Sequence, residues 1–180
     1  MTRRVCLLSL CCCLLLIRPA AALDVGAVTL IDQEGRDFRL DSLRGQVVLL
    51  VFGFTHCPHI CPVEMARVSA ALRDLAPERE RVSAVFITVD PRRDNPEVIK
   101  AYLEQFHPGI TGLTGAPDAL DAVADQYRVK RVEQPMAGGG YLVDHGSSLY
   151  ILDREGQAQV AVLPGLPAGH IVSLVRQFLD

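Results

Sequence analysis

Val47-Val48-Leu49-Leu50-Val51-Phe52-Gly53-Phe54, running directly into Thr55-His56-Cys57-Pro58-His59-Ile60-Cys61-Pro62, decides how this 180-residue chain reads. Eight residues without one polar side chain predict a strand covered on both faces, as in a parallel or mixed sheet. Pro62 suits the first position of a helix, so the cysteine-bearing loop joins a buried strand to a helix start. Unpaired backbone N–H groups and the helix dipole there favour thiolate over thiol. If the helix reaches back to Cys57, positions i and i+4 share a face and both sulfurs point to one spot.

Outward from that stretch, Val28 to Ile31 predicts a short strand closed by the turn Gln33-Glu34-Gly35. Val63, Ala66, Val68, Ala70, Ala71, Leu72 and Leu75 give the helix after the loop its apolar stripe, and Val82 to Val89 is a second buried strand. Asn95 can cap the next helix with Pro96 at its first position. Gly109 to Gly115 fits a strand and turn, Pro117 to Tyr127 a helix, and Pro135 to Gly140 a flexible loop. Leu149 to Leu152, a turn at Asp153 to Gly156, and Gln157 to Leu163 form a hairpin signal, and His170 to Leu179 closes the chain as a helix. The order implies an α/β fold, a central mixed β-sheet flanked by helices on both faces. A reactive loop between buried strand and helix, with a late hairpin, is thioredoxin-like topology.

The ends of the chain differ in kind. Basic Arg3-Arg4, an apolar run from Val5 to Ile17 and small Ala20-Ala21-Ala22 read as a secretory signal peptide over 1–22. The run is short against the ~20 residues of a spanning helix, with a short membrane anchor as the alternative. Leu10, not a small residue, precedes Cys11, which speaks against a lipoprotein. Residues 23–180 are then one domain holding 15 Lys and Arg against 21 Asp and Glu, a net charge of −6. A mildly acidic domain without a basic block argues against nucleic acid as a partner.

Four of the six cysteines fall in the leader, leaving Cys57 and Cys61. Two cysteines four apart in an exported chain are no disulfide framework; they are a redox pair, a metal site or both. The spacing is C-x-x-x-C, where thioredoxin-like reductases use C-x-x-C. A peroxidase on this fold wants a single cysteine with Thr three positions earlier, and Thr55 is only two before Cys57. No C-x-x-C-H is present for haem. Two soft sulfurs alone suit Cu(I), and a third, imidazole ligand lets such a site also accept Cu(II).

Val51 to Pro62 resembles the signature of the SCO/SenC family, thioredoxin-fold copper-binding proteins that assist assembly of cytochrome c oxidase. Three further segments resemble it in order: Thr88-Val89-Asp90-Pro91-Arg92-Arg93-Asp94-Asn95-Pro96-Glu97, Gly112-Leu113-Thr114-Gly115, and Tyr141 to Asp153 around Val143-Asp144-His145. The resemblance implies copper ligands at Cys57, Cys61 and His145, one copper per chain. His145 just precedes the hairpin strand, on a loop that faces the helix start in thioredoxin-like folds. Asp144 is a candidate to orient the imidazole, and Asp90 reads as a turn and cap residue in a loop the family places near the site. His56 adjoins Cys57 and is expected to point away from the metal. His107 and His170 read as solvated termini, and Met136 as a surface methionine rather than a transient thioether ligand. Where the family usually has an acidic residue between the cysteines, this chain has His59.

The implied function is a copper chaperone in the periplasm, secreted or anchored facing it. It delivers copper to the dinuclear copper site of a respiratory oxidase subunit, or prepares that subunit's cysteines. An enzyme is the rival: a thiol–disulfide oxidoreductase working through Cys57 and Cys61 on thiol–disulfide exchange partners. A copper sensor or buffer would use the same site.

Overall fold

The computed structural model describes residues 25–179. The expected leader, 1–22, lies outside them. The strands are β1 (Thr29–Asp32), β2 (Asp37–Arg39), β3 (Val47–Gly53), β4 (Val82–Thr88), β5 (Ile110–Thr114), β6 (Arg131–Pro135), β7 (Tyr141–His145), β8 (Leu149–Leu152) and β9 (Ala158–Val162). The helices are α1 (Ile60–Asp74), α2 (Pro96–Leu103), α3 (Pro117–Gln126) and α4 (Ala168–Arg176). Seven strands form one mixed sheet in the order β2-β1-β5-β4-β3-β8-β9, and β6 and β7 pair as a separate ribbon.

All seven residues of β3 are buried, because β3 lies between parallel β4 and antiparallel β8 and both its faces are covered. Its period of two divides the core. Val47, Leu49 and Val51 pack with Met65, Val68 and Ala71 of α1, Ile99 of α2 and Ile171 and Val175 of α4. Val48, Leu50 and Phe52 pack on the other side with Leu120 and Val123 of α3 and Val143 of the ribbon. Each fully buried Leu or Phe stabilises the fold by about 1.5–3 kcal/mol, so this alternation fixes the register of the central strand.

The parallel pair places the site. Gly53 is in register with Thr88, and the Val89 N–H donates to the Gly53 carbonyl at 2.8 Å. The chain therefore leaves β3 and β4 side by side, at the carboxyl edge where open α/β sheets bind ligands. Leu149 opens β8 opposite Val51, so the segment after His145 reaches that same edge.

Several elements differ from the sequence expectation. Strand β2 and ribbon strand β6 had no signal. Of the expected loop over Pro135 to Gly140, Pro135 ends β6 and the rest is the turn of the ribbon, and His145 ends β7 rather than merely preceding β8. Helix α1 begins two residues before Pro62, with His59 at the N-cap position, and its buried face is Cys61, Glu64, Met65, Val68, Ser69, Ala71 and Leu72. Val63 is 52% exposed and Ala66 is exposed as well. The buried carboxylate of Glu64 takes the expected apolar place by pairing with Arg67. Among the described residues no helix is long and apolar enough to cross a membrane.

Candidate metal and thiol centre

Cys61 sits in the first turn of α1 and is 2% exposed, while Cys57 lies in the loop ahead of the helix and is half-buried. Both are free thiols. The helix does not reach back to Cys57, so the pair is not joined by helical i,i+4 geometry. The loop itself directs Cys57: its N–H donates to the Phe54 carbonyl at 3.2 Å, closing a turn straight after β3.

The two thiols live in opposite environments. Burial pushes the Cys57 thiol up, but backbone N–H groups of Cys61, His59 and Ile60 and the Cys61 side chain outweigh it, leaving its pKa below the ordinary value. This is a helix N-terminus acting on a sulfur. Burial pushes Cys61 far up, and the neighbouring Cys57 and Asp94 push the same way against one N–H from Phe54. Cys57 is therefore the more readily ionised thiol of the pair and Cys61 the one that holds its proton.

His145 comes from 84 residues further along and places its Nε2 3.7 Å from the Cys61 sulfur. Its Nδ1 lies 2.9 Å from the Gly146 carbonyl oxygen. A carbonyl only accepts, so Nδ1 carries the proton and Nε2 presents its lone pair to the sulfur. Burial lowers the imidazole pKa, against the raising effects of the Gly146 hydrogen bond and Asp144. The ring therefore stays neutral, the form that binds metals. Asp144 itself is exposed and the Gly146 carbonyl takes the orienting role considered for it.

A sulfur at ~2.3 Å and a nitrogen at ~2.0 Å from one metal, at tetrahedral to trigonal angles, stand about 3.5–3.7 Å apart. The Cys61–His145 separation falls in that range. Among the described residues no three His, Cys, Asp or Glu side chains are gathered closely enough to hold a metal as they stand. The preassembled element is thus the Cys61–His145 pair, with the half-buried Cys57 thiol beside Cys61. Phe54, Ile60, Leu142 and Val143 line an apolar depression of about 420 Å³ into which Cys57, His59 and His145 also open.

The other candidates separate cleanly. His56 turns its Nδ1 to the Thr55 hydroxyl at 3.0 Å, with Asp94 at 3.7 Å. His107 accepts from the Gly109 N–H and closes a local turn, and His170 is exposed in the first turn of α4. Met136 lies in the ribbon turn, at the opposite end of β7 from His145, and is 45% exposed. Asp90 is 2% exposed and accepts from the Tyr141 hydroxyl and Arg93, more than a turn residue does. Gly53, Phe54, Thr55, Arg93, Asp94 and Tyr141 also shape the site without having been singled out. A carboxylate at each end of Asp90 to Asp94 was the available signal.

A thioredoxin-like sheet with two cysteines at a helix start and an imidazole brought in on an outlying ribbon defines a class of dithiol–imidazole proteins. The chain belongs to the SCO1/SenC family, whose model matches residues 19–180. It is 37% identical over 153 residues to the SCO2-like protein RP587 of Rickettsia prowazekii (strain Madrid E), covering 84% of this chain and 75% of that one. It spans 65–66% of the SCO2-like proteins of other Rickettsia species. The structure of Bradyrhizobium japonicum ScoI with copper bound superposes with a TM-score of 0.79 at 34% identity, covering 84% of this chain and 97% of that one. BsSco, described as a member of the Sco family of cytochrome c oxidase assembly proteins with a disulfide switch, aligns with a TM-score of 0.68 at 26% identity, over 84% and 91% of the two chains.

Proposed function

We propose that this chain is a copper chaperone of the periplasmic space, secreted or membrane-anchored. It takes one copper on Cys57, Cys61 and His145 and delivers it to the dinuclear copper site of a respiratory oxidase subunit, or prepares that subunit's cysteines. The observation that carries this reading is the Nε2 of His145 at 3.7 Å from the Cys61 sulfur, with Nδ1 turned to the Gly146 carbonyl. Two sulfurs suit Cu(I), and the imidazole extends the site to Cu(II). The copper-bound relative and the oxidase-assembly description of BsSco support the cargo and the acceptor class.

The test is a Cu(I) competition titration on the reduced domain. Cys57→Ser and Cys61→Ser should each abolish tight binding. His145→Ala should weaken it and remove the thiolate-to-Cu(II) charge-transfer absorption. Unchanged affinity and spectrum in His145→Ala would remove the third ligand.

A second reading has its own observation. One thiol of lowered pKa beside a buried, protonated partner is the arrangement of an attacking and a resolving cysteine. A thiol–disulfide oxidoreductase would retain exchange activity in His145→Ala, whereas copper handling would not survive it intact.

A further inference from the structure

The ribbon that carries His145 lies outside the seven-stranded sheet, so no main-sheet ladder fixes where the imidazole stands. Its fastening is made of side chains. The Tyr141 hydroxyl, four residues before His145, donates to Asp90 at 2.8 Å. Arg93 Nη1 donates to the Tyr141 carbonyl at 2.9 Å, and the Arg93 guanidinium lies 3.8 Å from the Tyr141 ring centroid. The same guanidinium stands 5.7 Å from the Phe54 ring, which meets the His145 ring edge-on at 5.7 Å. A cation held between two aromatic faces and hydrogen-bonded to a buried carboxylate resists displacement from each direction.

The segment Asp90 to Asp94 grips the cysteine arm as well. Asp94, fully buried, accepts from both the N–H (2.9 Å) and the hydroxyl (2.6 Å) of Thr55, two residues before Cys57. One five-residue stretch after β4 is therefore bonded to both elements that bring ligands to the centre.

We infer that Asp90, Arg93 and Tyr141 form a bracket that seats His145 against Cys61 and so sets how firmly Cu(II) is held relative to Cu(I). The inference rests on the proposed copper role. Cu(I) is held mainly by the two sulfurs, which the bracket's ribbon side does not touch, whereas Cu(II) depends more on the imidazole. Partners behind a ligand alter metal affinity by about 10–100-fold when removed.

Tyr141→Phe keeps the stacked ring and removes only the hydroxyl bonded to Asp90. Cu(II) affinity should fall about tenfold and the charge-transfer band should shift, with Cu(I) affinity falling by less. In a His145→Ala background the same substitution should have no further effect on Cu(II), because the bracket acts through the imidazole. Asp90→Asn should behave like Tyr141→Phe. An equal Cu(II) loss in both backgrounds, or Cu(I) and Cu(II) falling together with the thermal midpoint, would overturn the bracket.

A metal-free measurement stands beside these. In the reduced protein the His145 ring protons, edge-on to Phe54, should carry ring-current shifts that move towards free-imidazole positions in Tyr141→Phe. Unmoved resonances would overturn the inference whether or not copper binds. Wild-type protein that takes up no copper would instead overturn the proposed function, with the spectra still deciding the bracket.

Discussion

The two arms of the centre are held by different physics. The cysteine arm grows out of β3, every residue of which is buried, and the start of α1, where Cys61 packs into the core cluster with Phe52 and Phe54. The histidine arm is a two-stranded ribbon whose strand β6 has four exposed residues out of five, with Val143 as its buried peg. Close packing places the sulfurs; hydrogen bonds, an ion pair and aromatic stacking place the imidazole. Packed cores admit one arrangement, whereas ribbons with few apolar contacts open locally at lower free energy. The cysteines are thus a fixed platform, and the histidine is the ligand whose position adjustments of a few bonds can change.

The largest effect that sharpens this contrast is on the cysteine side. A Cβ added at Gly53 would lie 2.7 Å from the Phe86 ring and 3.0 Å from the Cys61 sulfur. Phe86 is fully buried and has nowhere to move. Gly53→Ala should cost about 1–3 kcal/mol in urea unfolding through overpacking and should weaken Cu(I) binding by displacing Cys61. A wild-type midpoint and affinity would mean the platform is softer than its packing implies.

Val143→Ala tests the other arm. Loss of two buried methyl groups should cost about 1.5 kcal/mol, and the loss should be local. Amide hydrogen exchange should quicken in β6 and β7 while β3 and β4 keep their protection. Equal loss in both places would break the distinction between the arms.

The smallest effect lies within the cysteine pair. Thiolate is the reactive form, and the backbone N–H groups around Cys57 hold its pKa below the usual thiol value while burial holds Cys61 above it. As pH rises, iodoacetamide should therefore label Cys57 first, at lower pH than a free cysteine, with Cys61 lagging. Mass spectrometry of singly labelled protein reads the order. Labelling of Cys61 first would reverse the assignment of attacking and resolving thiol.

Much of this was written locally. The unbroken apolar run 47–54 specified a two-sided buried strand because eight residues are too few for a buried helix. Asn95-Pro96 specified a helix start, and the Asn95 side chain does accept from the Val98 N–H at 2.9 Å. Two cysteines beside a helix start announced thiolate chemistry through the N–H groups that any such terminus exposes. His145 was legible only through resemblance, since nothing in its own neighbourhood distinguishes it from a surface histidine. The ribbon was illegible because Val132 is 53% exposed and Glu133 and Gln134 face solvent, so β6 shows no alternation of apolar and polar residues. The bracket was illegible because its parts read as turn residues one at a time. Only the tertiary structure joined Cys61 to His145 across 84 residues and Asp90 to Tyr141 across 51. Local pattern fixes which elements form, but a meeting over such separations depends on strand order and register, which the whole core sets together.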